Sequence, residues 1–354
     1  MVSLQDIATI NPKSDPLQNT FIYIDLEAVE KGELRKIQEI MREEAPSRAQ
    51  RVIDNNDILF QCVRPYQKNN YIHRILNTSN QQWVASTGYA QIRTTELPNY
   101  IYHLLNTDEF NRKVMVRCTG SSYPAINSED LATIHLYYTP DKKEQLKISR
   151  LLDLLDKRIA TQNKIIEKYE SLIKGIAQHC IKESTSGNTY VKLGDICQIT
   201  TGKLDANEQV DNGIYPFFTC AEQPFKIDSF AFDTEALLIS GNGANLGYIN
   251  YYNGKFNAYQ RTYVLDIFSE NIQYIKWALK VLLPKRIAIE KSSSNTPYIV
   301  LSTLSDLRLP IPNKSNQCHI AKLMQSLERK LSSQIALNGS YNKLKQYLLR
   351  QMFI

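Results

Sequence analysis

The chain has 354 residues, of which 43% are hydrophobic and 22% are charged, as in an ordinary globular protein. This composition excludes a disordered, collagen-like or fibrous chain, and at ~100–200 residues per domain the length favours two domains over one. With 42 Lys and Arg residues against 36 Asp and Glu residues, the net charge is +6. That excess suits an anionic partner such as nucleic acid but is too small to establish one.

Membrane and metal signals are weak. No apolar run reaches the ~18–20 residues that cross a bilayer, and residues 1–6 show no basic segment leading into an apolar one, so we expect a cytoplasmic protein. The six cysteines lie far apart, which favours reduced thiols over disulfides. Two adjacent His/Cys pairs occur, His179-Cys180 and Cys318-His319, but neither has the spaced further ligands of a zinc motif, and we expect no metal site.

The sequence repeats itself. Residues 2–10 match residues 191–199 at an offset of 189, with five of the nine positions identical. Residues 123–136 match residues 296–309 at an offset of 173, so the middle of the second copy is shorter. Because an internal repeat in the sequence indicates repeated structural units, we predict two related globular copies.

A long helical pattern follows each copy. Apolar residues recur every three or four positions from Ile148 to Ile176 and again, in register, from Ile320 to Leu348. Each stripe predicts a helix of about forty residues, spanning about 60 Å at 1.5 Å per residue. The predicted boundaries are 1–140 and 183–313 for the globular copies, and 141–182 and 314–354 for the helices.

These two helices have two interpretations. A single amphipathic helix most simply covers the core of its own domain. Two stripes in register favour a long coiled coil with a matched Gln layer; if it is antiparallel, the copies lie at opposite ends in a pseudo-two-fold arrangement. The residues expected at that interface are Leu151, Leu155, Ile159, Gln162, Tyr169, Leu323, Leu327, Leu331, Gln334 and Tyr341.

The globular copies are predicted to be mixed α/β. Short runs rich in β-branched and aromatic residues indicate strands at 21–24, 58–60, 237–239 and 262–265. Asp54–Asp57 and Asn253-Gly254 are typical of turns between such runs. The amphipathic stretches 100–116 and 270–283 predict helices.

Most familiar catalytic motifs are missing from the sequence. It contains no Gly-x-x-x-x-Gly-Lys-Ser/Thr loop, no His-Glu-x-x-His helix and no Gly-x-Ser-x-Gly elbow, which counts against nucleotide hydrolysis, metalloprotease and hydrolase functions. The Gly-rich stretch 240–247 follows a strand-like run but lacks the third glycine of a dinucleotide fingerprint, and another strand-like run follows it. We interpret it as a tight loop between strands.

Mixed polar and aromatic residues instead occupy four candidate loops, 64–70, 86–91, 240–247 and 257–261. Arg, Asn and Gln match base edges, whereas Lys, Ser, Thr and Tyr suit phosphates. Ordinary surface turns are an equally good interpretation at this stage. A Ser-rich stretch lies before the shared Pro of each copy, at 119–122 and 292–296, and it either binds phosphates or is an ordinary loop.

Several motifs together resemble one known family, the DNA-specificity subunit of type I restriction-modification enzymes. They are Leu4–Ile7, Leu193–Ile196, Thr201–Lys203, Tyr215–Cys220, Leu238–Asn245, Asn257–Tyr263 and Leu348–Ile354. The resemblance implies that each copy is a target-recognition domain for one half of a split DNA site. It also implies that antiparallel helices act as a spacer and dock the methyltransferase subunits.

This resemblance implies a non-catalytic chain without a cofactor of its own. S-adenosylmethionine would belong to the modification subunits, and ATP and Mg to the translocase and nuclease subunit. The copies differ, since the second has a Gly-Asn-Gly loop where the first has none after Ile58–Phe60, so we expect an asymmetric site. The rival hypotheses are a DNA methyltransferase with its own S-adenosylmethionine site and a structural coiled-coil assembly protein.

The residues expected to bind DNA lie on the candidate loops, the Ser-rich stretches and the Thr-Gly-Lys motif. For base edges they are Arg64, Gln67, Asn70, Gln91, Asn242, Asn245, Gln260 and Arg261. For phosphates they are Lys68, Ser122, Lys203, Ser293 and Thr296. Tyr66, Thr87, Tyr89 and Tyr259 complete the predicted DNA-binding set.

Overall fold

The computed structural model describes residues 1–75, 81–184, 189–291 and 298–353, without the side chain of Lys291. Its contacts divide the chain into two compact units. The first unit consists of residues 1–163 with the chain from 336 onward, and the second of residues 164–335. Each unit holds one globular copy and a part of both long helices.

The first unit is built from short strands. They are β1 (Val2–Ser3), β2 (Ala8–Ile10), β3 (Thr20–Ile24), β4 (Val29–Glu30), β5 (Glu33–Leu34), β6 (Gln38–Met41), β7 (Ala49–Val52), β8 (Ile58–Gln61), β9 (Tyr71–Ile72), β10 (Trp83–Ser86), β11 (Tyr89–Thr94) and β12 (His135–Leu136). One sheet has the order β6-β3-β10-β7 and another β2-β11-β8-β9, while β1 pairs with β12 and β4 with β5. Among the described residues of this unit, every pair is antiparallel except β3 with β10.

The first unit also contains short helices and part of a long one. They are α1 (Leu4–Ile7), α2 (Pro98–Leu105), α3 (Asp108–Arg117), α4 (Ser128–Ala132) and the first part of α5 (Lys142–Glu183). Thr107 Oγ1 accepts the Phe110 N–H at 3.1 Å at the start of α3, and this satisfies one of the free amides of the first turn. The core joins β8 and β11 to α2 and α3, with Phe60 and Phe110 edge to face at 5.7 Å.

The second unit is dominated by one sheet. Its strands are β13 (Thr189–Lys192), β14 (Gln198–Thr201), β15 (Tyr215–Phe218), β16 (Phe225–Ile227), β17 (Phe232–Ser240), β18 (Ile249–Ala258), β19 (Thr262–Asp266) and β20 (Arg308–Ile311). Its helices are α6 (Ile272–Lys291), α7 (Leu301–Ser305) and the first part of α8 (Lys314–Met352), beside the end of α5. The sheet has the order β14-β19-β17-β18-β15-β16, and β13 pairs with β20.

The central strand β17 is buried on both faces in its second half. Leu237 and Ile239 pack against α6 residues such as Ala278. Leu238, on the opposite face, joins a cluster that includes Phe218 and Phe256. This two-sided burial explains why 237–239 is a continuous apolar run rather than an alternating one, and the predicted strand there is confirmed.

The internal repeat is confirmed at the level of hydrogen bonds. Val2 pairs with Leu136 in the first unit and Val191 with Leu309 in the second, at the two offsets read from the sequence. The amide of the next Leu then donates to a carbonyl in both units, Leu4 to Ile134 at 3.0 Å and Leu193 to Leu307 at 2.9 Å. In each copy, therefore, the first strand closes against the last one before the long helix.

The two long helices are present as predicted, over 42 residues in α5 and 39 in α8. Within the first unit they run antiparallel, because Arg158 Nε donates to Tyr341 Oη at 3.1 Å and Asn338 Nδ2 to Asn163 Oδ1 at 2.8 Å. Within the second unit they share an apolar cluster around Met324.

The buried stripe is not entirely the predicted one. Leu151 and Leu323 are each 44% exposed, whereas their neighbours Leu152 and Met324 are fully buried. The other predicted interface residues are half-buried or buried: Leu155, Ile159, Gln162, Tyr169, Leu327, Leu331, Gln334 and Tyr341. Leu152 belongs to the core of the first unit, and Met324 packs in a cluster with Trp277 of α6 and Ile173 of α5.

Three local predictions are corrected. Asn253-Gly254 is not a turn, because it lies inside β18, where Gly254 pairs with Thr234 and adopts φ +129°. The helix predicted over 100–116 is two helices, since Asn106 and Thr107 separate α2 from α3. The helix predicted over 270–283 continues to Lys291 with Pro284 inside it.

None of the helices within the described ranges combines the length and apolar character needed to cross a membrane. In the same ranges, no group of three or more His, Cys, Asp or Glu side chains is placed to hold a metal ion.

Candidate nucleic-acid interface

In the first unit, the predicted loop 64–70 is a tight turn directly after β8. A 3-10 helix, Pro65–Gln67, is flanked by Arg64 and Lys68, which both adopt left-handed backbone angles with φ 53° and φ 52°. Non-glycine residues in this region cost on the order of 1 kcal/mol or more each, and such strain concentrates at functional sites.

Buried amide side chains hold this turn in place. Gln61 and Asn70 are each 2% exposed. Asn70 Oδ1 accepts the Gln61 N–H at 2.8 Å, and Asn70 Nδ2 donates to Asn106 Oδ1 at 3.1 Å. Gln61 in turn bonds to Asn69 and Gln67. Since unpaired buried amides are costly, this network fixes the turn.

The Ser-rich stretch of the first copy meets the same turn. The Arg64 N–H donates to Pro124 O at 2.7 Å, and the Arg64 guanidinium lies 4.4 Å from the ring centroid of Tyr123. Ser122 is the exposed residue before that tyrosine. Arg64 and Ser122, singled out separately from the sequence, are thus brought together, beside exposed Tyr66 and Gln67.

Lys68 is partly engaged within the protein. Its Nζ donates to Asp108 Oδ1 at 2.8 Å and to Asn106 O at 3.3 Å. The two cations beside Asp108, Lys68 and Arg350, hold the pKa of that carboxyl below its usual range. The ammonium therefore anchors the turn to α3, and it shares the Asp108 carboxylate with Arg350.

Other predicted contacts of the first copy are interior. Gln91 is 1% exposed, and its Nε2 donates to Asp57 Oδ2 at 2.7 Å and to Val52 O at 2.9 Å. Tyr89 is fully buried, and burial raises the pKa of its phenol. Thr87 is half-buried. In this conformation Gln91, Tyr89 and Asn70 build the scaffold, and the surface-turn interpretation does not describe them either.

In the second unit, three loops converge. The Gln260 N–H donates to Leu204 O at 2.9 Å, which joins the segment after β14 to the β18–β19 turn. The Gly241 N–H donates to Arg261 O at 2.8 Å, which joins the Gly-rich loop to the same turn. A Cβ on Gly202 would lie 1.9 Å from Ala258 O, so only glycine permits this approach. The predicted residues brought into this cluster are Lys203, Asn242, Asn245, Tyr259, Gln260 and Arg261.

Cys220, which sequence reasoning did not select, links the Gly-rich loop to β15. Its Sγ donates to Asn242 Oδ1 at 3.0 Å, and its carbonyl accepts from Asn245 Nδ2 at 3.0 Å. The Tyr215–Cys220 block contributed to the family resemblance, but no signal within it pointed to these asparagines.

The candidate loops of the two units start at equivalent points of the duplicated fold. The Cys62 N–H donates to Gly88 O at 3.0 Å and the Cys62 carbonyl accepts from Ile126. Gly241 makes the corresponding pair of bonds to Arg261 and Ile299, at 2.8 and 2.9 Å. Two residues further on, Arg64 and Gly243 both have positive φ, 53° and 79°. The turn 64–68 therefore replaces the Gly-Asn loop of the second copy. Ser293 and Thr296 lie outside the described residues.

The sequence profile described as the type I restriction modification DNA specificity domain matches this chain twice, over residues 1–171 and 185–338. The chain therefore belongs to that family, and the resemblance drawn from the repeated motifs is confirmed.

Individual relatives fit this assignment. The type I restriction enzyme EcoDI specificity subunit of Escherichia coli is 41% identical over 143 residues, which are 40% of this chain and 32% of the relative. A putative type I specificity subunit of Mycoplasma genitalium is 22% identical over 276 residues, 72% of this chain and 70% of the relative. The part of this chain that matches the E. coli relative thus spans about a third of that relative's length.

Solved structures share the fold. The crystal structure of a type I restriction-modification system S subunit from M. genitalium has a TM-score of 0.68 at 17% identity, covering 100% of this chain and 95% of that one. A chain from a structural study of complex assembly in the type I R-M system has a TM-score of 0.61 at 21% identity, covering 99% and 96%. The prediction of a mixed α/β fold with long helices is confirmed.

Proposed function

We propose that this chain is the non-catalytic DNA-reading subunit of a type I restriction-modification complex. Residues 1–140 and 183–313 would be its two target-recognition domains, and helices 141–182 and 314–354 its spacer. The observation that carries the proposal is the placement of two chemically different loops, Arg64–Lys68 and 240–247, at equivalent points of a duplicated fold. Equivalent readers with different side chains imply an asymmetric, bipartite site.

The loop chemistry supports DNA as the ligand. Arg64, Gln67, Gln260 and Arg261 are side chains whose hydrogen-bond geometry matches base edges, and Lys203 is an exposed cation within the second loop cluster. A net charge of +6 is modest for a chain that reads two half-sites alone. Methyltransferase subunits would supply further phosphate contacts.

The long helices would dock these subunits. Leu154 on α5 is 66% exposed and Tyr347 on α8 is 60% exposed. Large apolar side chains on charged helices suit a protein partner. S-adenosylmethionine would be bound by the methyltransferase subunits, ATP and Mg by a restriction subunit, and the complex would act in the cytoplasm.

Methylation mapping tests the proposal. Genomic DNA from cells with this chain and its modification partner is compared with DNA from cells that lack only this chain. The expected result is a split, asymmetric methylated motif that vanishes with the chain. Exchange of residues 1–140 for the corresponding part of a relative should then change one half of the motif. An unchanged methylation pattern in the cells without the chain contradicts the proposal.

The rival functions make different predictions. A methyltransferase with its own cofactor site would bind labelled S-adenosylmethionine as an isolated chain. A purely structural assembly protein would leave the DNA affinity of the complex unchanged when both loop clusters are substituted.

A further inference from the structure

A hydrogen bond from below fixes the orientation of the exposed Gln67 amide. Gln61, beneath it, receives the backbone N–H of Asn69 at 3.0 Å. A backbone N–H only donates, so the Gln61 atom facing it is Oε1. The other Gln61 atom is then the Nε2 amide, which lies 2.9 Å from Gln67. Because that amide donates, the Gln67 atom facing it is Oε1, and its Nε2 faces outward.

The position of Gln61 is equally determined. Its own N–H donates to Asn70 Oδ1, which leaves Asn70 Nδ2 to donate to Asn106 Oδ1. This series of hydrogen bonds ends where Asn106 Nδ2 donates to the Tyr102 carbonyl at 2.7 Å, and a carbonyl only accepts. Every member of the series is thus fixed by a backbone group at one end or the other. Gln61 is 2% exposed, so its amide is shielded from bulk solvent.

The groups beside Gln67 are donors as well. Arg64 presents a guanidinium with no acceptor atom, held against Tyr123, and Lys68 carries only an ammonium. An unrestrained Gln offers either its amide or its carbonyl to a base, and so discriminates poorly between them. A Gln whose carbonyl is turned toward the protein by such a bond presents its NH2 group, which only donates, to the outside.

We propose that Gln61 is a positioning residue that makes Gln67 a donor-only reader, so that the first half of the DNA site carries a hydrogen-bond acceptor edge at the base pair that Gln67 contacts. Guanine, whose O6 and N7 are adjacent acceptors, fits this edge best. Cytosine, which presents only the N4 donor, is rejected, and adenine offers a single acceptor, N7, beside its N6 donor. This inference rests on the proposed function, since it specifies what one of the two reading loops selects.

The test is methylation mapping in cells that carry the full complex with single substitutions. Gln67→Ala should make one position of one half of the motif degenerate, with a loss of roughly 5- to 150-fold in discrimination there. Gln61→Met leaves Gln67 intact but frees it to turn, and it should relax the same position. Gln67→Glu keeps the bond from Gln61 and replaces the outward amide with an oxygen, so the preference should shift to a base with a donor.

Gln81→Glu is the matched control, because it adds the same charge to an exposed position of the same unit; the motif should stay unchanged. A sharp, unaltered motif with Gln67→Ala overturns the inference, as does relaxation by Gln67→Ala without relaxation by Gln61→Met. A merely structural role of Gln61 would lower methylation at all sites and leave the motif intact. If Gln61→Met does not fold, exposed Gln67→Glu still decides, since an unshifted preference overturns the proposal. These results leave the proposed function standing, which fails only if the motif does not depend on the chain.

Discussion

Gln145 and Gln317 make the same three side-chain hydrogen bonds in the two units. Gln145 Oε1 accepts the Leu97 N–H at 3.2 Å, and its Nε2 donates to Glu96 and to Thr139 O, each at 2.7 Å. Gln317 binds the Asn271 N–H, Glu270 and Pro312 O in the same way, at 3.0, 2.7 and 2.9 Å. Each glutamine thus ties the first turn of a long helix to the start of the helix that covers the sheet.

Substitution of these glutamines should loosen one unit each. Gln145→Leu leaves the Leu97 amide without its buried partner, and we expect a loss of about 1–3 kcal/mol in the free energy of unfolding. Hydrogen exchange read by mass spectrometry should rise in 96–105 for Gln145→Leu and in 270–279 for Gln317→Leu. Gln346→Leu, at an exposed position of α8, is the control. Equal protection of both segments in the two variants would contradict the assigned bonds.

Neighbouring residues of the long helix should differ sharply in their response to truncation. Met324 is fully buried with Trp277 and Ile173, whereas Leu323 is 44% exposed. Met324→Ala should cost about 2–4 kcal/mol because it opens a cavity, and Leu323→Ala less than about 1 kcal/mol. Denaturant unfolding of both variants measures the difference. Equal costs would show that Leu323 is buried in the helix interface, as the sequence pattern predicts.

Periodic features of this molecule could be predicted from the sequence, whereas isolated polar ones could not. The strands at 58–60 and 237–239 and both long helices were predicted because burial on one or two faces imprints a period or a continuous apolar run. Gln61 and Gln145 carry no such signal: each is one polar residue whose bonding partners only the fold brings together. The register of Leu151 against Leu152 escaped prediction because both leucines fit a helical period.

The candidate site shows the same division. Its loop positions follow from turn-forming composition, so the sequence predicts Arg64 and Asn242 on loops, where the structure places them. Gln91 was misplaced on a loop, since it lies in β11 and bonds to Asp57 inside the unit. Cys220 was overlooked because its bond to Asn242 crosses between loops 22 residues apart.

His73 should make the first unit acid-sensitive. The residue is fully buried between Tyr71 and Trp83, and its ring nitrogens have no hydrogen-bond partner among the described residues. Burial lowers the pKa of its imidazole from 6.5 to about 4, against a smaller opposing effect of Asp57 and Asp54. The unfolded chain then binds the proton more readily, so stability is complete above pH 6.5 and falls as the pH drops toward 4.

The size of this effect is about 3 kcal/mol, from roughly two and a half pKa units. Unfolding of the native chain and of His73→Phe, measured between pH 7 and pH 4, should show a steeper loss of stability in the native chain. His179→Phe, at an exposed position of α5, should retain the native slope. Parallel pH profiles for all three proteins would rule out a neutral buried imidazole.

Arg261 should act on the second half-site alone. It is exposed in the loop cluster where its carbonyl accepts the Gly241 N–H, so the side chain is free of that structural bond. Arg261→Ala should weaken binding to the cognate second half-site by about 1–3 kcal/mol and should relax the base selectivity in that half. Competition binding of the assembled complex with DNA altered in one half measures this. Arg308→Ala, at an exposed position of β20 in the same unit, is the control. Uniform weakening on all sequences would instead mark Arg261 as a phosphate contact.

Arg64→Gly should separate stability from recognition. Glycine relieves a left-handed backbone at φ 53° that costs on the order of 1 kcal/mol, while the lost contact with Tyr123 costs about 0.5–1 kcal/mol, so stability should change by less than about 1 kcal/mol. Discrimination in the first half of the motif should nevertheless fall by about 1–3 kcal/mol. Arg64→Lys keeps the charge but lacks the planar fork, and it should restore affinity without restoring selectivity. Unfolding curves and methylation mapping of both variants check this. A destabilised Arg64→Gly protein, or a motif as sharp as that of the native chain, would show that the strained arginine serves the fold rather than the reading of DNA.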